Sequence, residues 1–296
     1  MTWNSLYSEF SISHSDAVWG VAWTANDTAI SISADGSVKQ WSAATGQPHP
    51  PNAAFPKPHT LAQVSLSVTP DGKRALYNSI EGLTTLWNLE NGEVAATFES
   101  YARARDDSEP SWSVSLHPEG DVYASTGGNK FGMYTTYSPD GRRVALSSET
   151  GQIYVFDIES SSLSITFTSH AMAVRSLAWS PDSTLLLSAS EDKTSRVTRR
   201  PICPGRICRL FSGHSSWVLS TDISPDGRLG LSGSADKSIK VWDIGARAAV
   251  STIQDTGEVW SVSWRPKPPA VGSPGAFVTG GEDGVVRWWR GAGSGA

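Results

Sequence analysis

The sequence predicts an all-β protein in which seven short antiparallel sheets close into one ring. A phrase that returns at intervals of 42 to 44 residues along most of the chain is the first observation behind this prediction. The second is that each copy holds short runs of alternating apolar and polar residues between turn residues, with no sustained helical stripe. A repeat of this length with about four strands per unit indicates a seven-bladed β-propeller.

Each copy begins with a strand that leads into a Ser-Pro-Asp-Gly-like turn. The segment "HSSWVLSTDISPDG" from His214 is a regular example, and "HSDAVWGVAWTAND" from His14 repeats its pattern. The copies start at Ser13, His59, Pro110, Phe131, His170, His214 and Gly257. Because each blade uses one copy, the repeats predict a single domain over residues 1–290, followed by a flexible tail at 291–296.

The composition fits such a ring and excludes several other classes. The 13 Trp residues can anchor many small sheets, because each contributes a large buried area. A net charge of −5 argues against a general nucleic-acid surface, which usually needs a basic footprint. No segment has the character of a signal peptide or a membrane helix, and two Cys do not make a disulfide framework. We therefore expect a soluble intracellular protein without a cofactor.

The segment "GSADKSIKVWDIG" at 233–245 allows two interpretations. It contains Ser234, Asp236 and Ser238, and His214 lies 22 residues before Asp236. Ser, His and Asp can together form the nucleophilic site of a hydrolase. The same residue types can also form a hydrogen-bonded brace inside a sheet, since a buried Asp is costly unless it is fully hydrogen-bonded.

The sequence resembles the WD-repeat family, and "SIKVWDIG" at 238–245 is its most typical segment. In that family a loop His, a second-strand Ser or Thr, a turn Asp and a third-strand Trp form a hydrogen-bonded tetrad. Carried over by position, the tetrads are His214, Ser232, Asp236 and Trp242; His14, Ser31, Asp35 and Trp41; and, without the His, Thr279, Asp283 and Trp289. Because a hydrolase needs one such constellation and not one per blade, the resemblance favours the structural brace.

Two places depart from the family pattern. Glu119 and Asp140 are half a period apart, and "ASTGGNK" runs directly into the next first strand near residues 130–131. We therefore expect blade three to lack its third and fourth strands. The second departure is the segment 191–214, where Thr198 stands in the place of the tetrad Trp and the alternation is lost. This predicts an irregular blade five.

The departure in blade five, centred on residues 193–209, leaves three interpretations open. Arginines are concentrated between Arg196 and Arg209 without an acidic residue, so the segment could contact RNA phosphates. Cys203 and Cys208 could bind a metal, although they lack partners and the usual spacing. The third interpretation is an irregular loop or an error in the gene model. Sequencing the transcript would show whether this segment and the gap at 130–131 are errors in the gene model.

Two columns of residues at the start of the first strands are expected to surround one mouth of the central channel. The first column is Ala17, Ala62, Pro110, Phe131, Ala173, Trp217 and Glu258. The second is Trp19, Val64, Trp112, Met133, Arg175, Leu219 and Trp260. Because Trp and Arg are enriched at binding hot spots, we predict that this ring binds a short peptide with an aromatic or aliphatic anchor and a polar cap. Trp23, Trp179 and Trp264 are assigned to packing between blades.

Segments outside the tetrads resemble the small WD-repeat subunit of the superkiller complex. They are "HAMAVRSLAWSPDS", "GHSSWVLS", "SADKSIKVWDIGAR" and the lead into "HSDAVWGVAW", which in that subunit supplies the outer strand of the last blade. The resemblance implies a partner-binding role beside a tetratricopeptide-repeat scaffold and an RNA helicase, in cytoplasmic 3′-to-5′ mRNA decay by the exosome. In fungi it also implies an association with nuclear proteins of meiotic double-strand-break formation. The expected partners include no nucleic acid and no membrane.

Three other functions compete with this one. A WD-repeat adaptor of a signalling or chromatin complex would share the whole repeat pattern, because the fold does not determine the function. A propeller hydrolase or lactonase would gather metal ligands or charges in the channel, whereas the predicted mouth has only Arg175 and Glu258 as charges. Direct RNA binding through Arg196–Arg209 would weaken steeply with salt. The residues favour the non-enzymatic scaffold.

Overall fold

The computed structural model describes residues 3–5, 14–49, 61–99, 111–126, 132–168, 170–199, 209–267 and 275–292. Within these ranges the chain forms strands β1 to β25 and no helix, which agrees with the predicted all-β class. Inner strands are largely buried on both faces: in Val18–Trp23 and Val218–Ile223 only the second and fifth residues are partly exposed.

The strands follow one another along the chain in small sheets. The first third of the chain contains β1 (Trp3–Ser5), β2 (Val18–Trp23), β3 (Thr28–Ser33), β4 (Val38–Ser42), β5 (Gln63–Val68), β6 (Arg74–Ser79), β7 (Leu83–Asn88), β8 (Val94–Glu99), β9 (Val114–Leu116) and β10 (Tyr123–Ser125). The middle contains β11 (Gly132–Tyr137), β12 (Arg143–Ser148), β13 (Gln152–Asp157), β14 (Ser162–Thr168), β15 (Val174–Trp179), β16 (Leu185–Ser190), β17 (Thr194–Arg199) and β18 (Arg209–Ser212). The last third contains β19 (Val218–Ile223), β20 (Leu229–Ser234), β21 (Ser238–Asp243), β22 (Ala248–Gln254), β23 (Val259–Trp264), β24 (Ala276–Gly281) and β25 (Arg287–Gly291).

Six of the sheets are blades of three or four antiparallel strands, so the predicted count of seven blades is wrong. Among the described residues the third repeat forms only β9 and β10, and we call this two-stranded sheet the half-blade. Blades are numbered by the repeat that forms them, so the half-blade takes the third place. The two missing strands were expected at this place, because the repeat period is shortened between Glu119 and Asp140. Residues 127–131 lie outside the described residues.

Blade five is a four-stranded sheet in the order β15-β16-β17-β18, so the predicted irregularity is not found in its described strands. The third strand pairs in register with β16, for example Val197 opposite Leu187. Thr198 is buried in the place of the missing Trp, and its hydroxyl donates to the Leu186 carbonyl at 3.2 Å. Backbone pairing thus maintains a strand that the side chains did not indicate. Residues 200–208, including Cys203 and Cys208, lie outside the described residues.

The ring is closed by strands from both ends of the sequence. The last blade has the order β1-β25-β24-β23, and Trp3 of β1 lies opposite Gly291 of β25. The Trp3 ring packs against Trp264 and Phe277 of the same blade, with centroids 5.6 and 4.8 Å apart. This outer strand covers apolar side chains that would otherwise face water.

Neighbouring inner strands are joined by side-chain hydroxyls that accept backbone N–H groups. The Ser261 hydroxyl accepts the Val21 N–H at 2.9 Å and so links blade seven to blade one. Further hydroxyl–amide pairs of this kind are Ser65 with Val114, Ser67 with Leu116, Ser113 with Thr135, Ser115 with Tyr137, Ser176 with Thr221, Ser220 with Val262, and Ser263 with Trp23. Inner strands present a free edge to the channel wall, so these bonds satisfy amide groups that have no ladder partner.

Asp222 makes the same kind of link further along β19, with a carboxylate in place of a hydroxyl. Its Oδ2 accepts the Trp264 N–H at 2.7 Å, and burial raises the pKa of Asp222 to about 6. The unfolded chain ionises this group near pH 4, so the folded state bears the cost of a poorly solvated charge as the pH rises from 4 to 6.

Replacing Asp222 with Asn should therefore change how stability depends on pH. Asn keeps an acceptor for Trp264 but carries no charge, so the variant should gain stability over the parent between pH 4 and pH 7. One pKa unit corresponds to about 1.4 kcal/mol, so a rise of about two units places this relative gain at about 3 kcal/mol. Thermal melts of both proteins across this pH range measure it, with Asp226→Asn in an exposed turn as the control. If the difference in stability between the variant and the parent is the same at all pH values, Asp222 does not have a raised pKa in the folded protein.

Candidate functional site

One mouth of the channel contains a cavity of about 400 Å³ lined by residues from every inner strand or the residues just before it. All seven members of the predicted second column line it: Trp19, Val64, Trp112, Met133, Arg175, Leu219 and Trp260. From the first column, Trp217 and Glu258 also line it. We call these nine residues the axial rim. The structure therefore brings together side chains that are up to 241 positions apart in sequence.

A β-bulge places the second-column side chains at this mouth. In six inner strands the pairing register shifts across the second residue, for example between Val18 and Gly20 and between Val218 and Ser220. The other shifts lie at Gln63/Ser65, Gly132/Tyr134, Val174/Ser176 and Val259/Ser261. A bulge leaves one residue unpaired and re-aims its side chain. Simple alternation along the sequence did not indicate this repeated feature.

The first column is divided by the same geometry. Ala17 and Ala173 are buried in the packing, unlike Trp217, which is 45% exposed. Pro110 and Phe131 lie outside the described residues. Ala62 is partly exposed but does not line the cavity. The expectation that the entire first column rings the mouth is therefore wrong for these three alanines.

The aromatic side chains of the axial rim are open to solvent to different degrees. Trp217 and Trp112 are 45% and 40% exposed, which is unusual for a side chain of this size. Trp19 and Trp260 contact each other edge to face, with ring centroids 5.8 Å apart. The Trp260 indole N–H donates to Glu258 at 3.0 Å. The rim thus combines rigid apolar surfaces with an oriented carboxylate.

The two charged side chains at the mouth are the predicted ones, but each interacts with an acid that was not predicted. Arg175 is not a lone cation, because its guanidinium pairs with Glu191, with Nε donating to Oε1 at 2.6 Å. Glu282 does not line the cavity, but its carboxylate accepts the Glu258 N–H at 3.2 Å. Among the described residues that line the cavity, Arg175 and Glu258 are the only charged ones, as predicted. With Arg175 neutralised by Glu191, Glu258 and the adjacent Glu282 make this section of the rim acidic.

The tetrad of blade six forms a continuous hydrogen-bond network. Nδ1 of His214 lies 2.9 Å from Asp236 Oδ2, and Nε2 lies 2.8 Å from Ser232 Oγ. The Trp242 indole N–H donates to the same hydroxyl at 2.8 Å. Asp236 also accepts the backbone N–H groups of Ser215 and Ser238, both at 2.9 Å. Burial by itself raises the pKa of Asp236, but the hydrogen bonds outweigh it and lower the pKa to about 2.

This arrangement is that of a structural brace and not of a nucleophilic site. Ser232, Ser234 and Ser238 are all buried, so none of their hydroxyls can reach the carbonyl carbon of a substrate. Burial also lowers the pKa of His214, which keeps the ring neutral and suited to bridging Ser232 and Asp236. The network holds the loop before β19 to the turn between β20 and β21.

Blade one has the same brace with one change. His14 Nε2 lies 2.7 Å from Ser31 Oγ, and the Trp41 indole N–H donates to that hydroxyl at 2.8 Å. Nδ1 contacts Ser37 Oγ at 2.8 Å, whereas Asp35 Oδ2 is 3.4 Å away. Burial lowers the pKa of His14 to about 4. The turn and the loop are therefore connected partly through Ser37.

Blade seven replaces the tetrad His with an ionic link. The Trp289 indole N–H donates to Thr279 at 3.0 Å, as a tetrad Trp does. Asp255 occupies the position of the His and pairs with Arg287 at 3.2 Å, and Arg287 also binds Asp283 at 2.5 Å. This substitution was not predicted from the sequence, although Asp255 lies four residues before Val259 just as His214 lies four before Val218.

Blade five carries a further network that was not predicted from the sequence. His170 lies 2.9 Å from Asp192 and 2.7 Å from Ser188, which reproduces the brace without its Trp. The signal that could have found it is the position of His170 four residues before Val174. The absent Trp therefore removes one hydrogen bond and leaves the rest of the blade-five brace intact.

A candidate cation site lies at the turn of the half-blade. His117, Glu119 and Asp121 bring donor atoms within 4.8 Å of one another. Both acids are exposed, and Nδ1 of His117 faces Asp121 at 3.4 Å. This is the arrangement of a solvated acidic turn, and we do not assign a metal site to it.

Among the described residues, no helix has the length and apolar character needed to cross a membrane.

Comparison with known proteins agrees with the repeated blades and tetrads of the structure. The sequence matches the family described as "WD domain, G-beta repeat" over residues 5–42, 161–198, 205–243 and 249–290. The meiotic recombination protein rec14 of Schizosaccharomyces pombe is 32% identical over 284 residues, which cover 88% of this chain and 89% of that protein. The WD repeat-containing protein VIP3 of Arabidopsis thaliana is 30% identical over 210 residues, 57% of this chain and 62% of that protein. The family match omits residues 43–160, which contain blade two, the half-blade and most of blade four.

Proposed function

This chain belongs to the WD-repeat family, and from that premise we propose that it is a non-catalytic scaffold that captures a short segment of a partner protein at the axial rim. The observation that carries the proposal is the convergence of four Trp side chains on one cavity of about 400 Å³. Two of these side chains, Trp112 and Trp217, are the most exposed tryptophans among the described residues. Exposed Trp side chains at a concave surface are typical of binding hot spots.

The chemistry of the rim describes the segment that it would accept. The apolar surfaces of Trp217, Leu219 and Met133 suit an aromatic or aliphatic anchor that enters the cavity. Glu258 and Glu282 suit a hydrogen-bond donor or a cation beside the anchor, because carboxylates accept charge-assisted hydrogen bonds. We therefore propose a short segment with one apolar anchor and one donor or basic residue.

Two candidate assemblies are each supported by a specific observation. The 32% identity to rec14 extends over most of both chains and supports a place among meiotic recombination proteins. The segments from His170, His214 and Ser234 that resemble the small superkiller subunit support a place in cytoplasmic mRNA decay, with a tetratricopeptide-repeat scaffold and an RNA helicase as partners. We propose that both assemblies use the same axial rim, so the protein would occur in the cytoplasm and the nucleus. A signalling or chromatin complex is the remaining alternative.

Affinity purification of the tagged protein followed by mass spectrometry tests this proposal. A tetratricopeptide-repeat scaffold and a helicase in the eluate would support the decay assembly, and recombination proteins in meiotic cells would support the other. The purification is repeated with Trp217→Ala, which should lose the partners that bind the rim. Partners of neither kind would reject both assemblies, and partners kept by the variant would reject the rim as the binding site.

A further inference from the structure

Within the part of the chain that the structure describes, the half-blade has an open sheet edge between blades two and four. We propose that this edge is a second docking site, separate from the axial rim, at which an extended segment of a partner polypeptide adds to β10 as the missing third strand. The proposal does not depend on the function assigned to the rim. It rests on the backbone of β10, on the two flanking blade faces and on the charges at one end of the gap.

The backbone of β10 presents unused hydrogen-bonding groups. The His117 N–H donates to the Val122 carbonyl at 2.9 Å, and the Thr126 N–H donates to the Ser113 carbonyl at 2.9 Å. Since hydrogen-bonded pairs alternate in an antiparallel ladder, Tyr123 and Ser125 direct their N–H and C=O groups away from β9. Within the described ranges of the chain these groups have no partner. A polypeptide strand supplies the matching row of donors and acceptors.

The face of blade two beside the gap lacks the cover that other blades have. Phe98, Phe167 and Phe211 occupy the same position in their blades, each opposite the second residue of the third strand. Phe167 and Phe211 are 6% and 2% exposed because the next blade covers them, whereas Phe98 is 40% exposed. The ring of Tyr123 contacts Phe98 at 5.6 Å and covers only a portion of it.

The face of blade four on the other side of the gap shows the reciprocal loss. Phe156 is the fifth residue of its third strand, the position that Trp242 takes in blade six. Trp242 is buried against Phe211 of the preceding blade, with ring centroids 5.3 Å apart, but Phe156 is only half-buried. Leu163, which lies opposite Phe156 on the outer strand, is 50% exposed.

These two faces determine the composition of the added strand. Successive side chains of a strand point to opposite faces, so one face of the strand would meet Phe98 and the other would meet Phe156. A strand that is buried on both faces consists of a nearly continuous run of apolar or β-branched residues. The third strands of blades two, four, five and six have six residues each, which gives the expected length of the segment.

The charges at one end of the gap indicate which residues should flank this apolar run. The turns between the first and second strands and between the third and fourth strands lie at the same end of each blade. In the blades around the gap these turns carry exposed acids against two exposed bases, Lys73 and Arg142; the acids are Asp71, Glu90, Glu93, Glu119, Asp121, Asp140 and Glu159. Charge complementarity therefore favours a segment with Lys or Arg at the end that reaches these turns.

A peptide that copies residues 238–254 of this chain is a suitable probe. These residues form the third and fourth strands of blade six, and they include Lys240 and Arg247. In hydrogen–deuterium exchange of the full chain, the amides of Tyr123 and Ser125 should exchange rapidly and become protected when the peptide is added. Phe98→Glu should weaken peptide binding at least tenfold, because it places a charge against the apolar strand. Trp217→Ala on the axial rim should leave peptide binding unchanged.

Each other outcome would overturn the proposal in a recognisable way. Protection of both amides in the free monomer would mean that the chain covers its own edge. Protection that appears only with a dimer, and is lost with Phe98→Glu, would make a second copy the occupant. No saturable binding of the peptide, or binding that leaves the two amides exchanging rapidly, would show that β10 does not accept a strand.

Discussion

Trp217→Ala is expected to weaken capture of the partner segment at least about thirtyfold while the protein remains folded. Removal of a hot-spot Trp commonly costs about 2 kcal/mol or more, which corresponds to this factor. The side chain is 45% exposed and belongs to no tetrad. Only its backbone has a structural role, since the Trp217 carbonyl accepts hydrogen bonds from Ala235 and Ser234. Titration calorimetry with the segment recovered from the purification measures the effect.

A matched control separates the loss of binding from the loss of packing. Ile158→Ala removes an apolar side chain of similar exposure, 41%, in a turn of blade four away from the cavity. This variant and Trp217→Ala should melt within a few degrees of the parent, and only Trp217→Ala should bind weakly. If Trp217→Ala unfolds at a much lower temperature, its indole belongs to the core and the rim assignment is wrong.

Arg175 is a poor position for a test of the axial rim, because its side chain also forms an ion pair with Glu191. Reversal to Glu would place a second carboxylate against Glu191, which is buried, and repulsion there would disturb the fold. Arg175→Ala removes the rim cation but leaves the Glu191 charge without its partner. Substitution of Arg175 would therefore change both binding and stability, whereas Trp217→Ala should change binding alone.

Asp236→Ala is expected to lower the free energy of unfolding by about 3 kcal/mol. Four donors lose their acceptor: the imidazole of His214, the N–H of Ser215, and the N–H and hydroxyl of Ser238. A buried polar group without a partner costs about 1 to 3 kcal/mol. The melting temperature should fall by roughly 6 to 12 °C in a chain of this size, as followed by circular dichroism.

Asp243→Ala provides the control for the tetrad prediction, because Asp243 is a carboxylate in the same blade that bonds only an exposed turn amide. Its melting temperature should change by less than about 2 °C. Asp236→Asn should be intermediate, since it keeps one side-chain oxygen as an acceptor. An Asp236→Ala variant as stable as the Asp243→Ala control would show that the brace contributes little.

Local features of the molecule were predictable from the sequence, and features that depend on ring closure were not. His214 and Asp236 recur at fixed spacings because each blade repeats the same short-range geometry. The truncation near residue 130 was visible as a shortened period. The Arg175–Glu191 pair was not predictable, because it joins the start of one strand to the turn after the next.

In blade five, unusual side chains led to a wrong prediction of irregular structure. Thr198 and the neighbouring arginines suggested an irregular segment, but the ladder between β16 and β17 is regular. Backbone hydrogen bonds do not depend on the side chain, so a paired strand tolerates unusual residues. The bulge at the second residue of the inner strands has no sequence signature of its own, and it determines which column reaches the rim.

Closure of the ring has a consequence for folding while the chain is synthesised on the ribosome. Val21 binds Ser261 across 240 positions of sequence, and β1 pairs with β25 still later in synthesis. At about 5 to 20 residues per second, blade one waits roughly 12 to 48 s for the strand that covers it. During that time the faces of Val18 and Trp23, buried in the finished ring, are exposed to other nascent chains. The price of a ring joined at its two ends is thus a long interval in which aggregation competes with folding.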